Sequence, residues 1–122
     1  NKTSRFIKSV EDDLTKKRNQ IAGDMLQGVI MQSPVDTGAF RANHRVSIDA
    51  DDLSYDKGSH DQSGNKTLRE GLAVIGANAR PYSEVVIQNN LPYAEALENG
   101  HSDQAAQGVY GVTFDAVTEK HR

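Results

Sequence analysis

Apolar residues recur every three or four positions along the first part of the chain. This stripe consists of Phe6, Ile7, Val10, Leu14, Ile21, Met25 and Val29. The period predicts one amphipathic helix from Ser4 to Gln32, with Ser4 as its N-cap. Ser33-Pro34 ends it, because the residue before a proline avoids the helical region. At roughly 40 Å, the helix is longer than a small core can cover. It therefore either lies across a sheet or packs partly on another subunit.

After this helix the predicted elements are shorter and the sequence is more polar. Residues 33–38 have the composition of a turn, and the alternation over Phe40–Ile48 predicts a strand. Residues 49–65 nearly lack apolar side chains and exceed the length of an ordinary connection. They predict either a mobile loop or an arm that orders on assembly. Thr67–Ala79 is predicted to be a second helix, with apolar positions at Leu68, Leu72 and Ile75.

The last third of the chain predicts a strand over Glu84–Gln88 and a helical turn over Pro92–Asn99. In that turn the inward residues are Tyr93, Ala96 and Leu97, and Gly100 is the C-terminal cap. Residues 108–122 fit a strand and a helix equally well. The whole predicts a single α+β domain over residues 1–122. In it the long N-terminal helix packs on a small antiparallel β-sheet with two further short helices.

Composition narrows the possible functions. The 122 residues are 36% hydrophobic, so the core is modest and contact with neighbouring subunits would add stability. The formal net charge of −3 argues against a dedicated nucleic-acid binder. The chain has no cysteine, which excludes a disulfide framework and a thiolate zinc site. No apolar run approaches the roughly 20 residues that span a membrane.

One triplet, Asp36-Thr37-Gly38, matches the active-site signature of aspartic proteases. That chemistry needs two such aspartates sharing a proton across a dimer axis. The polar residues before the triplet and the long helix oppose this reading, but a small homodimeric protease using Asp36 stays the alternative hypothesis. The structural interpretation is a helix-to-strand turn in which Asp36 or Thr37 accepts a hydrogen bond from backbone amides and Gly38 takes a positive φ.

The sequence gives only weak signals for metal binding and for a basic binding surface. The acidic stretch after Ile48 lacks the ligand spacing of a calcium loop. The four histidines lack the spacing of a helical zinc site, so no metal or cofactor is expected. On a strand, Arg41 and Arg45 would share a face. There they would touch DNA, bind an acidic neighbouring subunit or remain solvated.

Two segments together resemble a known family. The first is SPVDTGAFRANH at residues 33–44, directly after the long helix, and the second is IQNNLPYAEALENGHS at residues 87–102. Their order and composition resemble the neck or tail-completion proteins of long-tailed bacteriophages. His44 stands where that family more often has Trp, and Ala106 where Pro is common.

The resemblance implies a structural virion protein of the neck or tail, not an enzyme. It would join head and tail as part of an oligomeric ring, a hexamer being favoured, around the channel through which genomic DNA passes. Its partners would be copies of itself, the head-closure protein and tail-terminator or tail-tube proteins, without a membrane. The resemblance also implies helices in the middle of the chain and after Gly108.

The candidate site residues fall in two groups. Those expected to shape the turns are Pro34, Asp36, Thr37, Gly38, Arg41, Asn89, Asn90, Pro92, Tyr93, Glu98 and Gly100. Those expected to form an interface with a neighbour lie in the long loop and are Asp49, Asp51, Asp52, Tyr55 and Asp56. No residue is assigned a catalytic role.

Overall fold

The computed structural model describes residues 2–100, 103–105 and 107–122. The motif residues His101 and Ser102, and Ala106, lie outside these ranges. The fold is mixed, as predicted, with a long N-terminal helix, an antiparallel pair of strands and further short helices. In chain order the elements are α1 (Lys2–Gln32), α2 (Ala39–Ala42), β1 (His44–Ile48), α3 (Asn65–Gly76), β2 (Val85–Asn89), α4 (Ala94–Glu98), a 3-10 turn (Asp103–Ala105) and α5 (Tyr110–Lys120).

Helix α1 is buried only in its C-terminal half. Its buried side chains are Ala22, Leu26, Val29 and Ile30. Every residue from 2 to 10 is exposed. The predicted end at Gln32 is confirmed, and the helix begins two residues before the predicted Ser4. No helix among the described residues is both long enough and apolar enough to cross a membrane.

Two apolar clusters form the core on one face of the sheet. The first contains Val29, Phe40, Leu91, Ala105 and Val109. The second contains Ala22, Leu26, Ile30 and Ile75. The strands pair antiparallel, with His44 opposite Asn89 and Ile48 opposite Val85. Ile87 packs against both clusters, so the sheet joins the two parts of the core.

The first predicted strand is too long at its start. Residues 39–42 form the single helical turn α2, and the strand begins only at His44. Gly38 at φ 80° starts this turn, which places Phe40 in the core. Four α-helices follow α1 in the described residues, where the fold prediction had two further short helices. Helix α4 lies within the predicted helical turn over Pro92–Asn99, whereas α2 was not predicted.

Helix α5 decides the ambiguous C-terminal segment. Val109, its N-cap, and Thr113 and Val117 on its inner face are buried and four residues apart. That spacing places them on one side of a helix. The helix implied by the family resemblance is therefore present. The middle helix, predicted over Thr67–Ala79, is α3 at Asn65–Gly76, and Leu72 on it is exposed rather than inward.

Candidate functional site

The two motif segments meet in space, at a site here called the motif junction and formed by residues 33–44, 89–100 and 103–105. The Asn89 side-chain amide donates to the Phe40 carbonyl over 2.9 Å. Gln104 donates to the Asp36 carboxylate at 2.7 Å and accepts from the Val35 amide at 2.9 Å. The family-like segments, about 50 positions apart in the sequence, therefore form one structural unit.

The turn after α1 has the local structure that its sequence predicts. Gly38 has φ 80°, which favours glycine, and its carbonyl accepts from the amides of Ala42 and Asp61. The Thr37 hydroxyl accepts a hydrogen bond from the Ala39 amide at 3.3 Å. The sequence predicted such a bond for either Asp36 or Thr37. The carboxylate of Asp36 is bonded to Gln104 rather than to a neighbouring amide.

A cleft of about 360 Å³ opens beside this turn. Its lining includes Pro34, Asp36 and Thr37 from the first motif and Tyr93 and Leu97 from the second. Tyr93 was predicted inward, but it is 43% exposed, and its ring lies tilted against that of Phe40 at 6.3 Å between ring centroids. Pro92, just before it, is exposed in the turn that leads into α4.

The surroundings of Asp36 differ from those of a protease aspartate. It is exposed, and it follows a helix and a bend rather than a buried strand. No cluster of three potential metal-ligating side chains occurs in the part of the chain that the structure describes. The cleft thus offers one solvent-facing carboxylate that is already hydrogen-bonded to Gln104.

Arg41 holds the end of α1. Its guanidinium donates to the carbonyls of Met31, Ser33 and Gln62, at distances between 2.8 and 3.3 Å. Positive charge at a helix C-terminus is favourable because unpaired carbonyls collect there. Arg41 lies on α2 and not on the strand, so the prediction that it shares a strand face with Arg45 is wrong. Arg45 also bonds within the chain, to the Ala42 carbonyl and to Ser54.

Asn43 fastens the long loop to the core. Its side chain is fully buried, and it donates to the Asp56 carbonyl at 3.0 Å and accepts from the Asp56 amide at 2.7 Å. The amide side chain therefore pairs with the loop backbone as a neighbouring strand would. Asn90 adds a donor to the carbonyls of Asp52 and Ser54. Residues 49–64 contain no helix or strand, but hydrogen bonds from Asn43 and Asn90 hold their backbone against the rest of the chain.

The acidic loop residues differ in the contacts that they make within the chain. Asp49 accepts from the Glu84 amide at 2.7 Å and from Arg80, and these contacts lower the pKa of its carboxyl, the amide bond most. Asp52 accepts from the amide and hydroxyl of Ser54, which lowers its pKa. Asp51 and Tyr55 face solvent. Asp49 and Asp56 are exposed as well, and Asp52 is half-buried, so four of the five predicted residues are open to solvent.

A buried chain of hydrogen bonds centred on His44 was not predicted. The Nε2 atom of His44 is 2.7 Å from the Ser33 hydroxyl, and that hydroxyl donates to the Val29 carbonyl at 2.5 Å. Nδ1 is 2.7 Å from the Tyr110 hydroxyl. Burial first, and then the charges of Arg41 and Arg45, lower the pKa of His44 to about 3. The only sequence signal was the histidine at a position where the family more often has Trp.

The Glu98 carboxylate accepts hydrogen bonds from backbone amides at the beginning of α5. One carboxylate oxygen accepts from the amides of Val109 at 3.0 Å and Tyr110 at 2.7 Å, and the other accepts from Gly111 at 2.9 Å. Burial acts to raise the pKa of Glu98, but these three bonds outweigh it and lower the pKa. The carboxylate thus caps a helix that begins twelve positions later. Gly100, at φ 82°, ends α4 as predicted.

The most conspicuous surface lies away from the motif junction. The N-terminal part of α1 exposes Phe6 (69%), Ile7 (51%), Val10 (41%) and Leu14 (47%). This segment, residues 2–14, is called the α1 arm below. Its apolar side chains all lie on the stripe that predicted the helix. The sequence therefore identified them, but it could not tell whether the sheet covers them.

Comparisons of the chain with models of protein families, with curated proteins and with solved structures gave no match.

Proposed function

We propose that this protein is a structural subunit of the neck or tail of a long-tailed phage. In this role it joins head and tail in a homo-oligomeric ring around the DNA channel. Its other partners are the head-closure protein and tail-terminator or tail-tube proteins. The bound DNA passes without sequence recognition, and the mature protein resides in the virion.

The observation that carries the proposal is the uncovered apolar face of the α1 arm. Four large apolar side chains stand in a row on a helix that projects beyond its own core. A row of this kind on a small soluble domain marks a surface that another protein covers. A chain with a modest core gains stability when a neighbour buries such a face.

The motif junction supports a structural role over a catalytic one. Its polar side chains are engaged in holding backbone: Arg41 at the end of α1, Asn89 at α2 and Glu98 at α5. In the family that the two motifs resemble, residues at these positions are expected to shape turns. A segment whose side chains fix backbone geometry presents a rigid surface to a partner, which a ring subunit needs.

The joining role is tested in the phage that encodes the protein, by deleting its gene and examining the lysate by electron microscopy. We expect filled heads and finished tails that remain unjoined. Normal virions in the absence of the protein would overturn the proposal. A protein-cleavage defect, with unprocessed virion proteins, would instead favour the protease that the Asp36-Thr37-Gly38 triplet suggests.

Two matched variants connect the function to the arm. Val10→Asp places a charge on the α1 arm, and Phe114→Asp places the same charge at another exposed apolar position, on α5. We expect Val10→Asp supplied in trans to restore at least tenfold fewer infectious particles than Phe114→Asp. Equal restoration by the two variants would remove the arm from the joining surface.

A further inference from the structure

An open apolar groove of about 610 Å³ runs between α1 and β2. Its floor is formed by Ile21 and Met25 of α1 and by Val85 and Ile87 of β2. In the described part of the chain β2 pairs only with β1, so its other edge has no strand partner. The groove is thus a continuous apolar surface beside an open sheet edge.

The groove and the α1 arm belong to one stripe. Leu14 lines the mouth of the groove, and it is also the last apolar residue of the arm. On one side of it the stripe continues to Val10 and Phe6, and on the other to Ile21 and Met25. The groove runs along α1 and is lined mainly by apolar side chains. The α1 arm of a second copy is an apolar helix segment, so it matches this lining.

Charged residues flank the apolar stripe, and their signs follow the same order along α1 on both flanks. Asp13 and Lys17 are four positions apart and share one flank of α1, and Glu11 and Arg18, seven apart, share the other. On each flank the acidic residue precedes the basic one. All four lie within the segment where arm and groove meet.

We propose that in the free protein a second copy covers this surface, its α1 arm lying antiparallel in the groove about a two-fold axis near residues 14 and 15. The antiparallel arrangement sets Asp13 against Lys17 of the second copy on one flank. On the other flank it brings Glu11 near Arg18 of the second copy. The Arg18 guanidinium already donates to the carbonyls of Asn78, Arg80 and Ser83 in its own chain, so it contributes its charge there and Asp13–Lys17 is the pair that is free to form. A parallel arrangement in register would bring Asp13 to Glu11 and Lys17 to Arg18, which repel. Charge complementarity thus selects both the occupant and its orientation.

The two-fold contact is isologous, so each copy contributes one arm and one groove. It places Phe6 of one copy at the level between Ile21 and Met25 of the other. Both exposed segments of the stripe are then covered at once. The inference concerns the free protein and stands whether or not the protein joins a phage neck.

Single-cysteine variants test the orientation, because the chain has no cysteine of its own. The two copies of residue 14 meet near the axis, whereas the two copies of residue 6 lie about 25 Å apart in an antiparallel pair. A disulfide needs Cα atoms within about 7 Å. We expect Leu14→Cys to cross-link efficiently under mild oxidation and Phe6→Cys not to. Equal cross-linking of both variants would indicate a parallel pair and overturn the proposal.

Charge reversal tests the contact by sedimentation. Lys17→Glu should weaken the dimer roughly tenfold, since the pair occurs twice about the axis. Lys17 also lies 3.0 Å from Nδ1 of His121, so the decisive result is restoration by Asp13→Lys combined with Lys17→Glu. Lys16→Glu, with the same charge change on the side away from the stripe, should have little effect. A native protein that remains monomeric, or a double variant that is not restored, would overturn the proposal.

Discussion

The Nδ1 atom of His44 lies 2.7 Å from the hydroxyl oxygen of Tyr110, which is 66 positions later in the chain. The Ser33 hydroxyl donates to the Val29 carbonyl, so it accepts from Nε2 of His44. His44 is then neutral, with its proton on Nε2, and Tyr110 donates to Nδ1. Burial, and next the charge of Glu98, raise the pKa of Tyr110, which keeps the phenol protonated as this donor.

This arrangement predicts a loss of stability in mild acid. The unfolded chain takes up a proton at His44 near its ordinary pKa of about 6.5, whereas the folded chain does so only near 3. Stability therefore falls as the pH drops below 6.5, by up to about 1.4 kcal/mol per pH unit, until the folded pKa is reached. Urea unfolding at pH 7, 5.5 and 4.5 measures the slope, and the first two of these lie above the range in which most carboxylates titrate.

Two variants separate His44 from other causes of that slope. His44→Asn should flatten stability between pH 7 and 4.5, although it costs stability at neutral pH. Tyr110→Phe removes only the donor to Nδ1 and should cost about 1–2 kcal/mol while the slope remains. If His44→Asn leaves the slope unchanged, the histidine is not the group that titrates on unfolding.

Glu98→Gln should destabilise the protein by about 1–2 kcal/mol, because the charge facing three amides of α5 is lost. Glu95, on the same short helix but exposed, provides the control Glu95→Gln, which should change stability by less than about 0.5 kcal/mol. Thermal unfolding followed by circular dichroism measures both. Equal effects would mean that Glu98 acts only through its general surface charge.

Gly38→Ala should cost about 2–3 kcal/mol. The added Cβ would lie 2.6 Å from the backbone nitrogen of Gln62, and the φ of 80° is unfavourable for alanine. Gly76→Ala is the matched control, since nothing lies within 4 Å of its added Cβ. That substitution, at the last residue of α3, should stabilise by about 0.5–1 kcal/mol. Chemical denaturation of the two variants would show opposite signs, and the same sign would contradict this account.

Asn43→Ala should release the long loop from the core. It leaves the backbone groups of Asp56 and the Ala39 carbonyl without their partner, at a cost of about 2–4 kcal/mol. Limited trypsin digestion, read by mass spectrometry, should show faster cleavage after the exposed Lys57. The exposed Asn65→Ala variant should be cut at the native rate. Unchanged cleavage in Asn43→Ala would show that other contacts hold the loop.

The features that depend on neighbouring residues could be predicted from the sequence. The end of α1 at Gln32, the positive φ of Gly38 and the cap at Gly100 are confirmed. Proline, glycine and helical periodicity act within a few residues, so the sequence states them directly. The candidate turn residues were chosen for the same reason. Arg41, Asn89 and Glu98 among them lie in α2, β2 and α4 rather than in turns.

Tertiary structure decided which side chains meet across the chain. Phe40 begins no strand, because burial against Val29 and Leu91 outweighs the alternation that predicted one. Arg41 holds the end of α1 instead of facing a partner, and Glu98 caps a helix that begins twelve positions later. The sequence by itself determined where the long apolar stripe lies. Only the packed core decided that Ala22 to Ile30 are covered and the α1 arm is not, because burial depends on what other segments can reach.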